Sequence, residues 1–138
     1  MKKSIVPPLL EEAFKKAVQA RKHAHAIYSN FHVGAAIKVL DSDKIFSGCN
    51  VENASFGATI CAERVAVFSA IAAKGVVPFE YMVLVTDTDP LSVPCGLCLQ
   101  VIAEFTNPEF PIYLGNLTGV KEKVMLGDLL PRSFTSFS

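Results

Sequence analysis

The spacing of apolar and polar positions predicts alternating helices and strands along the chain. Over residues 8–25, apolar residues such as Leu10, Phe14 and Ala17 recur at helical spacing, which predicts an amphipathic first helix. Two β-rich runs at 33–40 and 44–51, joined by three polar residues, predict an antiparallel hairpin. Gly34 within the first run indicates that another backbone segment approaches closely there.

The second half of the chain continues this alternation. Residues 61–73 are apolar nearly all round and predict a buried central helix, and residues 81–88 predict a strand that is covered on both faces. A short helix at 95–105, a strand at 111–114, a candidate fifth strand at 124–125 and a turn at 127–130 follow. This order predicts an α/β fold, a three-layer α/β/α sandwich with a mixed, roughly five-stranded sheet, in a single domain over residues 1–138.

Composition and charge narrow the function classes. With 51% hydrophobic and 19% charged residues the chain is apolar for a monomer of its length, so we expect buried subunit interfaces. Thirteen basic and thirteen acidic residues cancel, which argues against a nucleic-acid partner and favours a small-molecule substrate. No apolar run approaches the roughly 20 residues that span a bilayer, and residues 1–8 lack the apolar stretch of a signal peptide. We therefore expect no membrane association and a cytoplasmic location.

The cysteine pattern points to a catalytic zinc site. Four cysteines in a chain expected to be intracellular are more typical of metal ligands or buried thiols than of disulfides. Cys95 and Cys98 have the spacing with which two thiolates reach one tetrahedral zinc, and Cys61 is the third candidate ligand. Three protein ligands leave a position for water, whose pKa zinc lowers to about 7. Glu63 is then the candidate proton shuttle.

This hypothesis imposes a geometric requirement on the helix that begins near Cys61. If the helices begin at Cys61 and Cys95, each thiolate lies at a positive helix end, which favours its ionised form. Residues two apart on a regular helix point nearly opposite ways, so Cys61 and Glu63 can face one site only if Cys61 occupies an irregular helix entry.

Five blocks of the sequence resemble the short, zinc-dependent cytidine deaminases of pyrimidine salvage. In chain order the blocks are Tyr28-Ser29-x-Phe31-x-Val33-Gly34-Ala35-Ala36, Gly48-Cys49-Asn50-Val51-Glu52-Asn53-Ala54, Cys61-Ala62-Glu63-Arg64, Pro94-Cys95-Gly96-x-Cys98 and Leu129-Leu130-Pro131. They occur in that family's order and cover nearly the whole chain. Five ordered blocks are much more specific than one Cys-x-x-Cys pair.

The resemblance implies a reaction and a cofactor. It implies hydrolytic deamination of cytidine and 2′-deoxycytidine to uridine and 2′-deoxyuridine plus ammonia, with one Zn²⁺ per chain and Glu63 moving a proton to N3 and then to the departing amine. It also implies that Arg64 hydrogen-bonds a ligating thiolate and so offsets the net negative charge of three thiolates and Zn²⁺. The family commonly has arginine directly after the last zinc cysteine, where this chain has Leu99, so the charge balance of the site is left open.

The same resemblance implies the contacts to the substrate. Asn50 and Glu52 alternate along a strand end and are expected to hold the ribose hydroxyls. Phe31 is expected beside the pyrimidine, and the backbone of Ala62 is expected to donate to the base carbonyl. Preference between ribose and deoxyribose is left open.

The resemblance also predicts a homotetramer with shared active sites. The C-terminal segment is similar to the one with which this family reaches an adjacent pocket, so we expect Phe134 to pack near the pyrimidine bound by another subunit. Phe56 is a second candidate for such an interface.

Two alternatives differ from this prediction in substrate or in class. A deaminase acting on a polynucleotide base or an aminopyrimidine antibiotic would use the same zinc and glutamate. A non-catalytic, zinc-stabilised binding module would need a fourth protein ligand, either Cys49 or a histidine. Cys49 is more typical of a buried, inert thiol, and His23 and His25 of surface positions near a helix end.

Overall fold

The chain alternates helices and strands as its apolar pattern predicts, in a computed structural model that describes residues 6–137. The elements are α1 Leu10–Arg21, β1 Val33–Val39, β2 Ile45–Cys49, a 3₁₀ turn Phe56–Ala58, α2 Ala62–Lys74, β3 Phe79–Thr86, α3 Gly96–Phe105, β4 Pro111–Asn116, β5 Gly119–Met125 and α4 Leu126–Leu129. Residues 1–5, which belong to the segment searched for a signal peptide, lie outside the described residues. Over the described part of the chain, every helix is too short or too polar to cross a membrane.

The strands form one mixed sheet in the order β2-β1-β3-β4-β5. Strands β3 and β4 are parallel, whereas β1 pairs antiparallel with both β2 and β3, and β4 with β5. Helix α1 packs on one face of this sheet and helices α2 and α3 on the other. The predicted three-layer α/β/α sandwich with a mixed, five-stranded sheet is thus confirmed.

Strand β3 separates two apolar cores. Because successive side chains of a strand point to opposite faces, Tyr81 and Val83 pack in the core beneath α1, while Met82 and Leu84 pack in the core beneath α2 and α3. All four side chains are buried. This double coverage explains why β3 appears in the sequence as an uninterrupted apolar run.

Gly34 marks the place where α1 lies against β1. A Cβ atom at Gly34 would lie 1.9 Å from the carbonyl oxygen of Ala17 in α1, a distance that no side chain can occupy. The predicted close backbone approach is confirmed. Only glycine allows the helix to pack this tightly on the strand.

Some element boundaries differ from those predicted. Helix α1 ends at Arg21, so His23 and His25 lie beyond it, and the backbone of His25 pairs instead with the segment that follows β2. Strand β5 is much longer than the predicted residues 124–125. The prediction is too short because the exposed middle positions of the strand, from Lys121 to Lys123, are charged and give no apolar signal. The predicted turn at 127–130 is largely the short helix α4.

Candidate metal centre

Two helices begin at cysteines that face one another. Cys61 is the residue immediately before α2 and Cys95 the residue immediately before α3, and both have extended backbone, with φ −80° and ψ 155° for Cys61 and φ −72° and ψ 169° for Cys95. Cys61 therefore has the non-helical entry that lets it and Glu63 face the same site. Both thiols lie at the positive end of a helix, which favours the ionised form.

The three predicted thiols are spaced for one metal ion. The Sγ atoms of Cys61 and Cys95 are 3.8 Å apart and those of Cys95 and Cys98 are 3.5 Å apart. All three lie within 4.8 Å of one another. Tetrahedral zinc with Zn–S distances of about 2.3 Å requires thiolates about 3.8 Å apart. The three cysteines therefore fit a tetrahedral zinc.

Among the residues that the structure describes, no fourth protein ligand lies near these thiols. Within residues 6–137, neither Cys49 nor a histidine joins the cluster. A structural zinc site usually has four protein ligands, whereas a catalytic one keeps a position for water. The donor set therefore fits a catalytic site better than a zinc-stabilised binding module.

Arg64 is the cation that contacts the thiols. Its Nη2 atom donates to Cys61 Sγ at 3.5 Å. Hydrogen bonds from Cys98 and, to a smaller extent, from Arg64 lower the pKa of Cys61 to about 5. The pKa of Cys98 is raised, because its thiol donates to Cys61 and is buried. Leu99 is buried in the core beneath α2 and α3 and adds no donor to the site.

Glu63 lies in the first turn of α2, inside the protein. The residue is only 4% exposed, and burial raises the pKa of its carboxyl group to about 7. A general acid/base works best when its pKa lies near the operating pH. Glu63 is therefore suited to accepting and returning a proton near neutrality.

Cys61, Cys95 and Glu63 border a cavity of about 260 Å³, here called the catalytic cavity, and the buried Cys98 does not line it. It lies where β3 ends and where α2 and α3 begin. Its lining residues are Ser29, Phe31, Val33, Asn50, Glu52, Thr59, Ile60, Cys61, Glu63, Leu84, Thr86, Ser92, Val93 and Cys95. Phe31, Asn50 and Glu52, predicted to contact the substrate, are thus brought together with the metal ligands.

Asn50 is held by the backbone that follows α1. Its Oδ1 atom accepts from the Val33 N–H at 2.9 Å, and its Nδ2 atom donates to the Phe31 carbonyl at 2.7 Å. These bonds use the amide oxygen and one of the two amide hydrogens. One hydrogen-bond donor of this cavity-lining side chain therefore remains for a ligand.

Glu52 is an ionised acceptor at the cavity rim. Its carboxylate accepts from the Ser29 hydroxyl, and one of its oxygens also accepts from the backbone N–H groups of Tyr28 at 2.9 Å and Ser29 at 3.1 Å. The Ser29 hydroxyl bond is the main cause that lowers the pKa of Glu52. The carboxylate can thus accept further hydrogen bonds from hydroxyl groups.

Neither Ala62 nor Phe134 is among the residues that line the cavity. Ala62 is the first residue of α2, so its N–H has no partner within the helix. Phe134 does not line the cavity of its own chain. Its backbone pairs with the side chain of Gln100, with N···O distances of 2.7 and 3.1 Å, and the residue is 59% exposed.

Phe56 is a second aromatic residue at the surface. The residue is 77% exposed, and its ring packs edge-to-face against that of Tyr28 at a centroid distance of 6.1 Å. Like Phe134, it does not line the catalytic cavity. Both rings are therefore free to contact another molecule.

Four polar residues of the cavity wall, Ser29, Thr59, Thr86 and Ser92, were not assigned from the sequence. Ser29 belongs to a recognised block, but its hydrogen bond to Glu52 depends on the folded path of the chain. Thr86 and Ser92 also line the cavity. Their positions in the sequence indicate a place at the site only weakly. Thr86 is the last residue of an apolar strand, and Ser92 comes just before Pro94 and Cys95.

The sequence and fold match known deaminases. Residues 8–114 match the family model described as the cytidine and deoxycytidylate deaminase zinc-binding region. A cytidine deaminase of Sporosarcina psychrophila is 43% identical over 126 residues, 91% of each chain. One of Halalkalibacterium halodurans is 43% identical over 122 residues, 88% of this chain and 91% of that one. The crystal structure of cytidine deaminase from Burkholderia pseudomallei has a TM-score of 0.81 at 44% identity, covering 90% of this chain and 98% of that one.

Proposed function

The chain belongs to the cytidine and deoxycytidylate deaminase family, and we propose that it hydrolyses cytidine and 2′-deoxycytidine to uridine and 2′-deoxyuridine plus ammonia. The observation that carries this proposal is the set of three thiols at tetrahedral spacing, two of which, Cys61 and Cys95, line a cavity together with the buried Glu63. The reaction belongs to pyrimidine salvage in the cytoplasm.

Cys61, Cys95 and Cys98 hold one Zn²⁺ per chain. When bound, zinc acts as a Lewis acid and lowers the pKa of a water molecule to about 7. Arg64 donates to Cys61 and offsets part of the charge of the three thiolates. Because the buried Leu99 offers no donor, this role falls to Arg64.

Glu63 moves the protons of the reaction. It accepts a proton from the attacking water and delivers it to N3 of the pyrimidine. It then takes the remaining proton from the new hydroxyl group on C4 and passes it to the amine, so that the C4–N bond breaks, ammonia leaves and C4 becomes a carbonyl. A pKa raised to about 7 by burial supports this assignment, because one group must both accept and release a proton. Burial also keeps bulk water away from the carboxyl group.

The remaining cavity residues orient the nucleoside. Glu52 accepts from a ribose hydroxyl, and Asn50 donates its remaining amide hydrogen beside it. Phe31 packs against the pyrimidine, and the N–H of Ala62 donates to the base carbonyl. This assignment is supported by the free donor of Asn50 and by the ionised state of Glu52.

The active enzyme is a homotetramer in which neighbouring subunits complete each cavity. Phe134 reaches the pyrimidine bound by an adjacent subunit, and Phe56 packs at the same interface. The exposure of both rings, their absence from the cavity of their own chain, and the 51% hydrophobic content support this assembly.

An ultraviolet assay of substrate loss, with zinc quantified on the same sample, tests the proposed function. Cytidine, 2′-deoxycytidine, an aminopyrimidine antibiotic and cytosine-containing oligonucleotides are compared. We expect turnover of the two nucleosides and little turnover of the others. Preference for an oligonucleotide or the antibiotic would refute the proposed substrate. Fully zinc-loaded protein without any turnover would favour a binding module.

A further inference from the structure

Three hydroxyl groups form a chain along the loop that joins β3 to α3. The hydroxyls of Thr86 and Thr88 are 2.9 Å apart, and those of Thr88 and Ser92 are 3.0 Å apart. Both distances are normal for O–H···O hydrogen bonds. Thr86 is 1% exposed, so its hydroxyl is anchored inside the protein at the end of β3.

Both ends of this hydroxyl chain belong to the wall of the catalytic cavity. Thr86 and Ser92 line the cavity, whereas Thr88, in the middle, does not. Ser92 is three residues before Cys95 in the same loop, so the hydroxyl chain lies on the wall that carries this metal ligand. A ligand that fills the cavity therefore lies beside the two residues at the ends of the hydroxyl chain.

The direction of the hydrogen bonds can reverse. Each hydroxyl has one hydrogen and accepts through its lone pairs. When Thr88 bonds to both neighbours, at most one end hydroxyl has its hydrogen free for the cavity, and the other end presents a lone pair. Rotation of the three hydroxyls exchanges the two ends without moving any heavy atom. The cavity wall can thus present a donor at either end.

The proposed reaction inverts the hydrogen-bond polarity of the base. The C4 amine of cytidine donates and N3 accepts, whereas in uridine the C4 oxygen accepts and N3–H donates. A fixed donor matches only one of these patterns. Building on the proposed function, we propose that the Thr86–Thr88–Ser92 hydroxyl chain contacts the base and reverses its direction between substrate and product, with Thr88 as a positioning residue outside the cavity.

Replacing the middle hydroxyl tests this inference. Thr88→Val removes both hydrogen bonds and changes no cavity-lining residue. On zinc-loaded protein we expect the KM for cytidine and the Kd for uridine both to rise about 3- to 10-fold, the loss of one neutral hydrogen bond. We expect kcat to change by less than about twofold, because substrate and transition state lose the same contact. Thr88→Ser, which keeps the hydroxyl, should restore both constants.

A matched control separates ligand contact from stability. Thr106 is also partly buried, and its hydroxyl donates to the Ile102 carbonyl at 2.7 Å, but it does not line the catalytic cavity. Thr106→Val should lower the melting temperature and leave both constants unchanged. A merely structural role for Thr88 would produce this same pattern.

The possible outcomes distinguish the parts of the inference. An increase in KM for cytidine without an increase in Kd for uridine would overturn the reversal. Unchanged constants in Thr88→Val, equal losses in Thr88→Ser, or loss of zinc would overturn the hydroxyl contact itself. If the wild-type protein did not deaminate cytidine, the proposed function would fail, while calorimetric binding of cytidine and uridine would still test the hydroxyl chain.

Discussion

Two concave surfaces lie at opposite ends of α2 and α3, and only one of the two is lined by candidate metal ligands and the candidate proton carrier. The catalytic cavity, at the start of both helices, has a volume of about 260 Å³. The groove at the other end, here called the C-terminal groove, has a volume of about 570 Å³. Its lining residues are Leu40, Val76, Val77, Pro78, Phe79, Glu104, Phe105, Thr106, Asn107 and Phe110. Size therefore does not identify the site.

The difference comes from what each helix end presents. A helix start offers unpaired N–H groups and partial positive charge, which stabilise thiolates and developing negative charge. A helix end offers unpaired carbonyls and partial negative charge, which oppose both. The same helices thus create a site for three thiolates at one end and an ordinary surface groove at the other.

The largest expected effect comes from matched glutamate substitutions at the two ends. Glu63→Gln should lower kcat by about 10²- to 10⁴-fold while zinc content and fold are kept, because it removes the proton carrier. Glu104→Gln, in the exposed C-terminal groove, should change kcat by less than about twofold. Steady-state kinetics and metal analysis check both variants. A near-native rate in Glu63→Gln would contradict the mechanism, and zinc loss would make Glu63 a ligand.

A cation at each end of α2 provides the second comparison. Arg64→Met removes the donor to Cys61 and should weaken zinc binding about 10- to 100-fold, as expected when a partner of a metal ligand is lost. Lys74→Met removes an exposed charge at the far end of the same helix and should leave zinc affinity unchanged. Competition with a chelator measures both. Equal weakening of zinc binding in the two variants would show that zinc affinity depends on the net charge of the protein rather than on the contact between Arg64 and Cys61.

The smallest effect concerns the proposed sharing of the cavity between subunits. Stacking and burial of an aromatic ring contribute on the order of 1 kcal/mol beyond area alone, so Phe134→Ala should raise KM for cytidine about fivefold and leave zinc content unchanged. Phe137→Ala, which removes the neighbouring exposed ring, should have little effect. Kinetics with light scattering checks the variants. A wild-type monomer with full activity would refute the shared cavity.

The fold could be predicted from the sequence wherever burial leaves an apolar signal. Strand β3 is covered on both faces and gives a continuous apolar run, and Gly34 marks a contact that no side chain allows. Strand β5 gave little signal, because its middle residues are charged and face solvent at the sheet edge. The predicted helix, residues 8–25, is longer at both ends than α1, because the helical spacing of apolar residues continues beyond the residues that form the helix.

The metal centre was predictable because its ligands have a characteristic spacing, Cys95 and Cys98 in one segment and Cys61 two residues before a glutamate. The hydroxyl chain of Thr86, Thr88 and Ser92 was not. It forms only because the loop after β3 folds back so that hydroxyls two and four residues apart meet. Spacing in sequence does not specify such a path, and no residue type marks it.

The central claim is that Cys61, Cys95 and Cys98 together hold the zinc on which turnover depends. Zinc per chain, measured with cytidine turnover on the same samples of Cys61→Ala, Cys95→Ala, Cys98→Ala and Cys49→Ala, tests it directly. We predict about one zinc per chain and full activity in the wild type and in Cys49→Ala, with both lost in the other three variants. Undiminished zinc in any of those three, or its loss in Cys49→Ala, would contradict the assignment.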